Sequence, residues 1–179
     1  MNLVNGDWIP VIFEDGKTQL VSLGTLYEQA DKISDLVLTP PQRISIMRLL
    51  ICITQAALDG PENEAEWLKC ENRIIPESIN YLKSRINKFN LYDDKQPFMQ
   101  VLNCEKLSNA SCDKLDFGLA AGNNPTLFDH KAASGQRKQS DAWIAVMLIS
   151  YQNFLLEVQL VKQNGITFQQ EKTVNTPHA

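Results

Sequence analysis

Amides, an aromatic ring and cations are concentrated between residues 118 and 139, in a stretch that also holds three of the eight glycines and a proline. Amides and cations can bind base edges and phosphates, and an aromatic ring can stack on bases or wedge between them. The side chains concerned are Asn123, Asn124, Phe128, His130, Lys131, Arg137 and Lys138. They are compatible with a nucleic-acid interface, but composition alone favours a solvated loop with Phe128 packed back into the core.

Enzyme motifs are absent from the sequence. It contains neither the G-x-S-x-G turn of a hydrolase nor the G-x-x-x-x-G-K-[ST] phosphate loop, and Gly118 and Gly122 are not spaced to hold a pyrophosphate. Cys104, Cys112 and His130 match no known zinc-ligand spacing. These observations predict no enzymatic activity, no cofactor and no metal; a small hydrolase with a cryptic metal is the alternative that ranks last.

The irregular stretch over 90–109 contains two adjacent acids, Asp93 and Asp94. Two neighbouring carboxylates can serve acid–base chemistry, but a pair of acids in a loop is more often solvated charge. We therefore expect no catalytic role for them.

Length and composition indicate one globular domain. The 179 residues are 44% hydrophobic and 21% charged, and the net charge is −4. An acidic balance excludes a protein that holds nucleic acid by bulk charge alone, since such domains are usually basic. The N-terminus lacks the features of a signal peptide, no apolar run is long enough for a membrane helix, and the four cysteines follow no CxxC spacing. The predicted location is cytoplasmic, with reduced thiols.

The elements expected around the loop from 118 to 139 form an α+β fold. Residues 8–13 and 18–23 are predicted to pair as a hairpin around the turn Glu14-Asp15-Gly16. Pro10 predicts that the first strand lies at a sheet edge or is irregular there. Helical spacing at Leu23, Leu26 and Tyr27 then predicts a short helix.

A mostly helical body follows the hairpin. Thr39-Pro40-Pro41 predicts the start of a helix that ends before Gly60, and Pro76 predicts the start of another. The helix over 143–156 is apolar on most faces, which predicts burial in the core or cover by another chain. The apolar positions of the first two helices are Ile44, Met47, Leu50, Ile51, Thr54 and Leu58, and then Ile79, Leu82, Ile86 and Phe89.

Five segments, taken in order, resemble the N-terminal part of the large subunit (CasA type) of the type I-E CRISPR surveillance complex, Cascade. The match extends over residues 2 to about 152. The segments are Asn2-Leu3 with Asp7-Trp8-Ile9-Pro10-Val11; Ser22-Leu23 with Leu26-Tyr27 and the helix around Arg48–Gln55; Phe89, Leu91-Tyr92-Asp93 and Pro97-Phe98-Met99-Gln100; Gly122–His130; and Ala142-Trp143-Ile144-Ala145 with Tyr151-Gln152.

The resemblance implies a non-catalytic subunit whose partners are the crRNA, the other Cascade subunits and, through the complex, target double-stranded DNA. Such a subunit contacts the crRNA 5′ handle and helps to recognise the protospacer-adjacent motif (PAM), while the guide RNA reads the sequence. By position, residues 122–139 match the family's crRNA-contacting loop. The resemblance therefore implies contacts to RNA by Asn123, Asn124 and Phe128, and to phosphates by Lys131, Arg137 and Lys138.

The sequence departs from the family pattern after Gln152. Residues 153–179 contain no glycine run like that of the family's PAM-reading loop, and they are expected to be a divergent or truncated tail of a single domain over 1–179. The alternative function is accordingly a truncated structural or regulatory module that binds protein partners and keeps the fold without nucleic-acid contact.

Overall fold

A small sheet opens the chain in the computed structural model, which describes residues 1–102, 115 and 139–154. Strands β1 (Ile9–Phe13) and β2 (Thr18–Val21) form the predicted hairpin. Gly16 supplies the positive φ, 81°, that the turn requires. The Asp15 carboxylate pairs with the Lys17 side chain and also accepts a hydrogen bond from the Lys17 amide at 3.0 Å, and these bonds, the side-chain one first, hold the pKa of Asp15 below its usual value.

A third strand, β3 (Ile33–Leu36), was not predicted, and it makes β1 the central strand in the order β2-β1-β3. The expectation that Pro10 marks a sheet edge is therefore wrong. Pairing of β1 with β3 begins at Val11, opposite Leu36, so Pro10 precedes that ladder, and its carbonyl accepts the Val37 N–H at 2.9 Å. Because proline has no N–H to donate back, Pro10 lies just outside the β1–β3 ladder, which starts at the next residue.

Helix α1 (Leu23–Glu28) follows the hairpin as predicted, and the Ser22 hydroxyl caps it by accepting the Thr25 amide. Helix α2 (Pro40–Ala57) begins where Thr39-Pro40-Pro41 predicts. The Thr39 amide donates to the Gln42 side chain at 3.1 Å, and the two prolines fill the first turn, where a missing N–H costs nothing.

Two further helices follow α2. Helix α3 (Glu64–Cys70) was not predicted, and it leads through a 3-10 turn (Glu71–Arg73) into α4 (Ile74–Ser84). Helix α4 begins two residues before Pro76, which lies in its first turn rather than at its start. The predicted stripe continues into a second 3-10 turn (Ile86–Phe89), with Leu82 and Phe89 buried.

Helix α5 (Asp141–Phe154) is buried over Ala145–Ser150, as its apolar sequence predicts. Helices α4 and α5 both pack against α2. The fold is therefore α+β, with a small sheet and a mostly helical body.

The N-terminal residues occupy the centre of the core. Trp8 is fully buried, and its indole N–H donates to the Leu3 carbonyl at 2.9 Å. Backbone hydrogen bonds join the Leu3 amide to the Phe89 carbonyl and the Leu91 amide to the Met1 carbonyl. The first residues thus hold the segment that follows α4 in place, and this segment leads toward the predicted interface.

Candidate nucleic-acid interface

The seven predicted nucleic-acid-binding residues lie outside the described part of the chain, as do Cys104 and Cys112. They are Asn123, Asn124, Phe128, His130, Lys131, Arg137 and Lys138. Within residues 103–138 the structure describes Leu115, whose side chain is 1% exposed and thus belongs to the interior. What the structure shows of the interface is the framework from which residues 103–138 start and to which they return.

The leading side of this framework is the segment 90–102. The Phe89 and Phe98 rings stack with centroids 5.5 Å apart, and the Phe98 amide donates to the Asn90 carbonyl at 2.8 Å. The Gln100 side-chain amide donates to the carbonyls of Leu91 and Phe98. Aromatic packing and these polar bonds together fold the segment back on itself and fix its course over the core.

Asp93 forms the turn in this segment. Its carboxylate accepts hydrogen bonds from the backbone amides of Lys95 and Gln96, both at 2.8 Å. These bonds, with that of Gln96 first, hold the pKa of Asp93 below its usual value, because they favour the charged form. The Asp93 carboxylate therefore shapes this turn, and the expectation that Asp93 and Asp94 have no catalytic role stays a prediction.

The returning side of the framework is the start of α5. The Ser140 hydroxyl accepts the Trp143 amide at 3.2 Å, and the Ser140 carbonyl accepts the Ile144 amide at 3.0 Å. Asp141 lies in the first turn, where a negative charge is favoured by the unpaired amides of a helix N-terminus.

Two hydrogen bonds join the segment 90–102 to helix α5, one near each end of the helix, and we call this pair the clasp. The Tyr92 hydroxyl donates to the Asp141 carboxylate at 2.9 Å. The Gln152 side-chain amide donates to the Met99 carbonyl at 3.1 Å. Met99 adopts a positive φ of 53°, which is uncommon for a residue with a side chain. The clasp thus attaches the segment before residues 103–138 to both ends of α5, the helix that follows them.

No structural role was predicted for the clasp residues from the sequence. Tyr92, Met99 and Gln152 stand within the segments that carry the family resemblance, but their types alone do not indicate that they meet. Pairs so far apart in sequence are recognised only once α5 is placed against the segment 90–102.

Two tyrosines elsewhere have raised pKa values. Burial raises the pKa of Tyr27, whose hydroxyl donates to the Leu50 carbonyl at 3.0 Å and lies 3.0 Å from the Thr54 hydroxyl. Burial also raises the pKa of Tyr151 on α5. In the ranges 1–102 and 139–154, together with Leu115, no three His, Cys, Asp or Glu side chains come together to hold a metal ion. Across the same residues, no helix is long and apolar enough to span a membrane.

Comparison with known proteins gives a consistent result. The sequence model for CRISPR-associated protein Cse1 matches residues 2–172. The CRISPR-associated protein CasA/Cse1 of Thermus thermophilus is 30% identical over 157 residues, which are 86% of this chain and 31% of that protein. The chain thus spans about a third of the length of this relative.

Solved structures share the fold. The crystal structure of Thermobifida fusca Cse1 matches with a TM-score of 0.70 and 28% identity, over 84% of this chain and 29% of that one. A chain of a CRISPR RNA-guided surveillance complex also matches with a TM-score of 0.70, at 20% identity, over 84% of this chain and 34% of that one. With the family match extending over nearly all of its residues, the chain belongs to the CRISPR-associated protein Cse1 family.

Proposed function

We propose that this chain acts as a non-catalytic subunit of a type I-E Cascade complex, in which residues 118–139 contact the 5′ handle of the crRNA. In this role it aids recognition of the PAM on target double-stranded DNA, together with the other subunits. Membership of the Cse1 family supports the assignment, and so does the fold shared with a chain of an RNA-guided surveillance complex.

The clasp is the structural observation that supports the proposed role of the loop. A loop whose ends are both fixed loses less conformational entropy on binding than a loop with free ends. The Tyr92–Asp141 hydrogen bond, at 2.9 Å, joins the segment before the loop to the helix after it. This arrangement suits a loop that must present several side chains to one ligand.

The roles within the loop follow from side-chain chemistry. Lys131, Arg137 and Lys138 supply charge for phosphates, which sets affinity and register without reading sequence. Phe128 supplies a ring for stacking against a base, and the amides of Asn123 and Asn124 can bond base edges or the ribose. His130 stands next to Lys131 and adds a donor at the same end of the cationic run.

A binding role also agrees with the chemistry of the described residues. The one adjacent acid pair considered for acid–base work forms a turn, with Asp93 bonded to two backbone amides. The proposal therefore assigns the chain a positioning task and leaves no step of bond making or breaking to it.

The experiment is co-purification of the tagged chain with the other type I-E subunits and a crRNA. We expect the wild-type chain to elute with the RNA-containing complex. Phe128→Ala and the double variant Arg137→Glu with Lys138→Glu should each reduce recovery, and the deficit of the double variant relative to the wild type should be largest at low salt. The matched control is Lys69→Glu with Lys83→Glu, which makes the same change in charge near the C-terminal ends of α3 and α4.

Recovery of all the variants at the wild-type level would contradict the assignment of the loop. Loss of the control variant together with the loop variants would show that net charge, rather than the loop, determines assembly. Either result would leave membership of the Cse1 family intact, since that rests on the sequence and the fold.

A second candidate function is a protein–protein interaction module without nucleic-acid contact. It is favoured by the exposed apolar side chains of Ile44, Met47 and Ile51 on α2. Under this function the chain would bind a protein partner with no dependence on RNA, and the loop variants would bind as the wild type does.

A further inference from the structure

A cleft of about 420 Å³ opens beside the hairpin turn of the sheet. Its lining includes Phe13 of β1, Gln19 of β2, and Gln29 and Lys32 from the segment that joins α1 to β3. Small-molecule sites in proteins have volumes of about 300–1,000 Å³, so the cleft is large enough for a ligand. No motif in the sequence indicates it, because its sides come from three separate segments.

The cleft lies where the buried face of the sheet ends. Val11 on β1 is fully buried, whereas Phe13, the next residue on the same face, is half-buried. Gln19 is the β2 partner of Val11, so its side chain lies on this face as well. The Lys32 carbonyl accepts the Glu14 amide at 2.9 Å, and this bond holds the segment after α1 against the turn. An aromatic ring and an amide therefore stand at the edge of the core, where a ligand can reach them.

The polar side chains of the cleft are available to a ligand. Within the part of the chain that the structure describes, the side-chain amides of Gln19 and Gln29 and the ammonium of Lys32 have no hydrogen bond or ion pair. Asp15 and Lys17, at the same turn, pair with each other, so their charges offset. The cleft thus offers two amides and one cation beside a partly exposed ring.

A nucleotide matches this set of groups. A base can stack on the Phe13 ring, and an amide side chain donates and accepts at once, as the edge of adenine requires. The Lys32 ammonium suits a phosphate, and the Glu14 carboxylate can accept hydrogen bonds from ribose hydroxyls. An apolar ligand would leave the amides and the cation unused, and a bare anion would leave the ring unused.

We propose that this cleft binds an adenine nucleotide. The base stacks on Phe13 and bonds the amides of Gln19 and Gln29, and the phosphate pairs with the ammonium of the cleft lysine. A free mononucleotide and an unpaired nucleotide of a nucleic-acid strand present the same groups, so either is a source. The site is built from residues outside 118–139, and it does not rest on the proposed contact of that loop with the crRNA.

The experiment is titration of the full chain with AMP, adenosine and ribose 5-phosphate, followed by calorimetry, and with a short single-stranded oligoadenylate RNA. We expect AMP to bind more tightly than adenosine or ribose 5-phosphate, because each of these lacks one part of the ligand. The two sources are then distinguished by affinity per adenine. Tighter binding of the RNA than of AMP identifies a strand as the source, and the reverse identifies a free nucleotide.

Variants assign the contacts within the cleft. Lys32→Gln should weaken binding of AMP about tenfold, as loss of a hydrogen bond to a charged group does, and should leave binding of adenosine unchanged. Gln19→Ala with Gln29→Ala should weaken binding of both AMP and adenosine and leave that of ribose 5-phosphate unchanged. The matched control is Lys69→Gln, which removes the charge of an exposed lysine on α3 and should bind AMP as the wild type does.

Three results would overturn the proposal. The first is that neither AMP nor the RNA binds at millimolar concentration. The second is that Lys32→Gln weakens AMP no more than Lys69→Gln does, because overall charge would then be the cause. The third is wild-type affinity for adenosine in the double glutamine variant, which would show that the amides do not contact the base.

Discussion

The N-terminal core and the clasp hold adjoining parts of the molecule by different means. Trp8 and Leu3 are fully buried, and the core around them depends on apolar packing together with internal backbone bonds. The clasp depends on two side-chain hydrogen bonds, from Tyr92 to Asp141 and from Gln152 to Met99. Apolar burial contributes most of the stability of a fold, whereas a hydrogen bond contributes little net energy but fixes a direction. We infer that the core maintains the fold and that the clasp orients the loop.

The largest effect on stability is expected from removing the Trp8 ring from the core. Trp8→Ala should lower the free energy of unfolding by about 3–5 kcal/mol, because it removes a fully buried ring. Urea denaturation followed by circular dichroism measures the change. Trp8→Phe, which keeps a ring but loses the bond to the Leu3 carbonyl, should cost clearly less. Equal losses for the two variants would place the stability in the hydrogen bond instead of the ring.

A smaller loss is expected at Gly6, where the backbone of the N-terminal segment folds tightly. A Cβ at this position would lie 2.9 Å from the Asn2 carbonyl oxygen, which is backbone and cannot rotate away. Gly6→Ala should therefore cost about 1–3 kcal/mol, as overpacking does. Asn5→Ala, at the neighbouring exposed position, serves as the control. If Gly6→Ala unfolds at the same midpoint temperature as the wild type, the segment accommodates the added methyl group without strain, and the prediction is wrong.

Breaking the clasp should separate stability from function. Tyr92→Phe removes the hydroxyl that donates to Asp141, so we expect a loss of about 1 kcal/mol in stability. The yield of the RNA-containing complex should also fall, and by more than this small loss of stability would cause, because the loop is less well oriented. Asp141→Asn alone and combined with Tyr92→Phe completes a double-mutant cycle, in which the two effects should not add.

Tyr81→Phe is the matched control for the clasp. It removes a hydroxyl from a partly buried ring that stacks under the Arg85 guanidinium, and it leaves the clasp intact. Additive effects in the cycle, or an equal loss of complex with Tyr81→Phe, would argue against orientation of the loop by the clasp.

The smallest expected effect concerns pH and Asp93. The pKa of Asp93 is lowered in the folded chain, so the unfolded chain binds its proton more readily. The resulting stability is present above about pH 4, the usual value for an aspartate, and is lost as the pH falls through the lowered pKa. Asp93→Asn should therefore narrow the gap between the unfolding temperatures at neutral and acid pH, and an unchanged gap would contradict this role of the Asp93 bonds.

Local signals in the sequence were sufficient to predict the elements whose ends are set by neighbouring residues. Thr39-Pro40-Pro41 predicted the start of α2, and the turn at Gly16 predicted the hairpin, because caps and turns depend on neighbouring residues. The start of α4 was misplaced by two residues, since proline is accepted at several positions of a first turn.

Features that depend on residues far apart in the chain could not be predicted from local sequence signals. Strand β3 is four residues long and contains Ser34 and Asp35, so it has no strand pattern of its own; its pairing with β1 creates it. Helix α2 has two apolar rows, and periodicity alone does not decide which row faces inward. The clasp likewise depends on where α5 lies. The predicted nucleic-acid-binding residues, 123 to 138, remain a prediction.

The most direct test of the central claim is the salt dependence of binding to a Cascade complex that contains crRNA and lacks its large subunit. The affinity of the wild-type chain is compared with that of Arg137→Glu with Lys138→Glu over a range of salt concentrations. If these cations contact phosphates, the double variant should bind more weakly, and the slope of log affinity against log salt should be shallower by about 1–2. Wild-type affinity and an unchanged slope would contradict the contact between this loop and the crRNA.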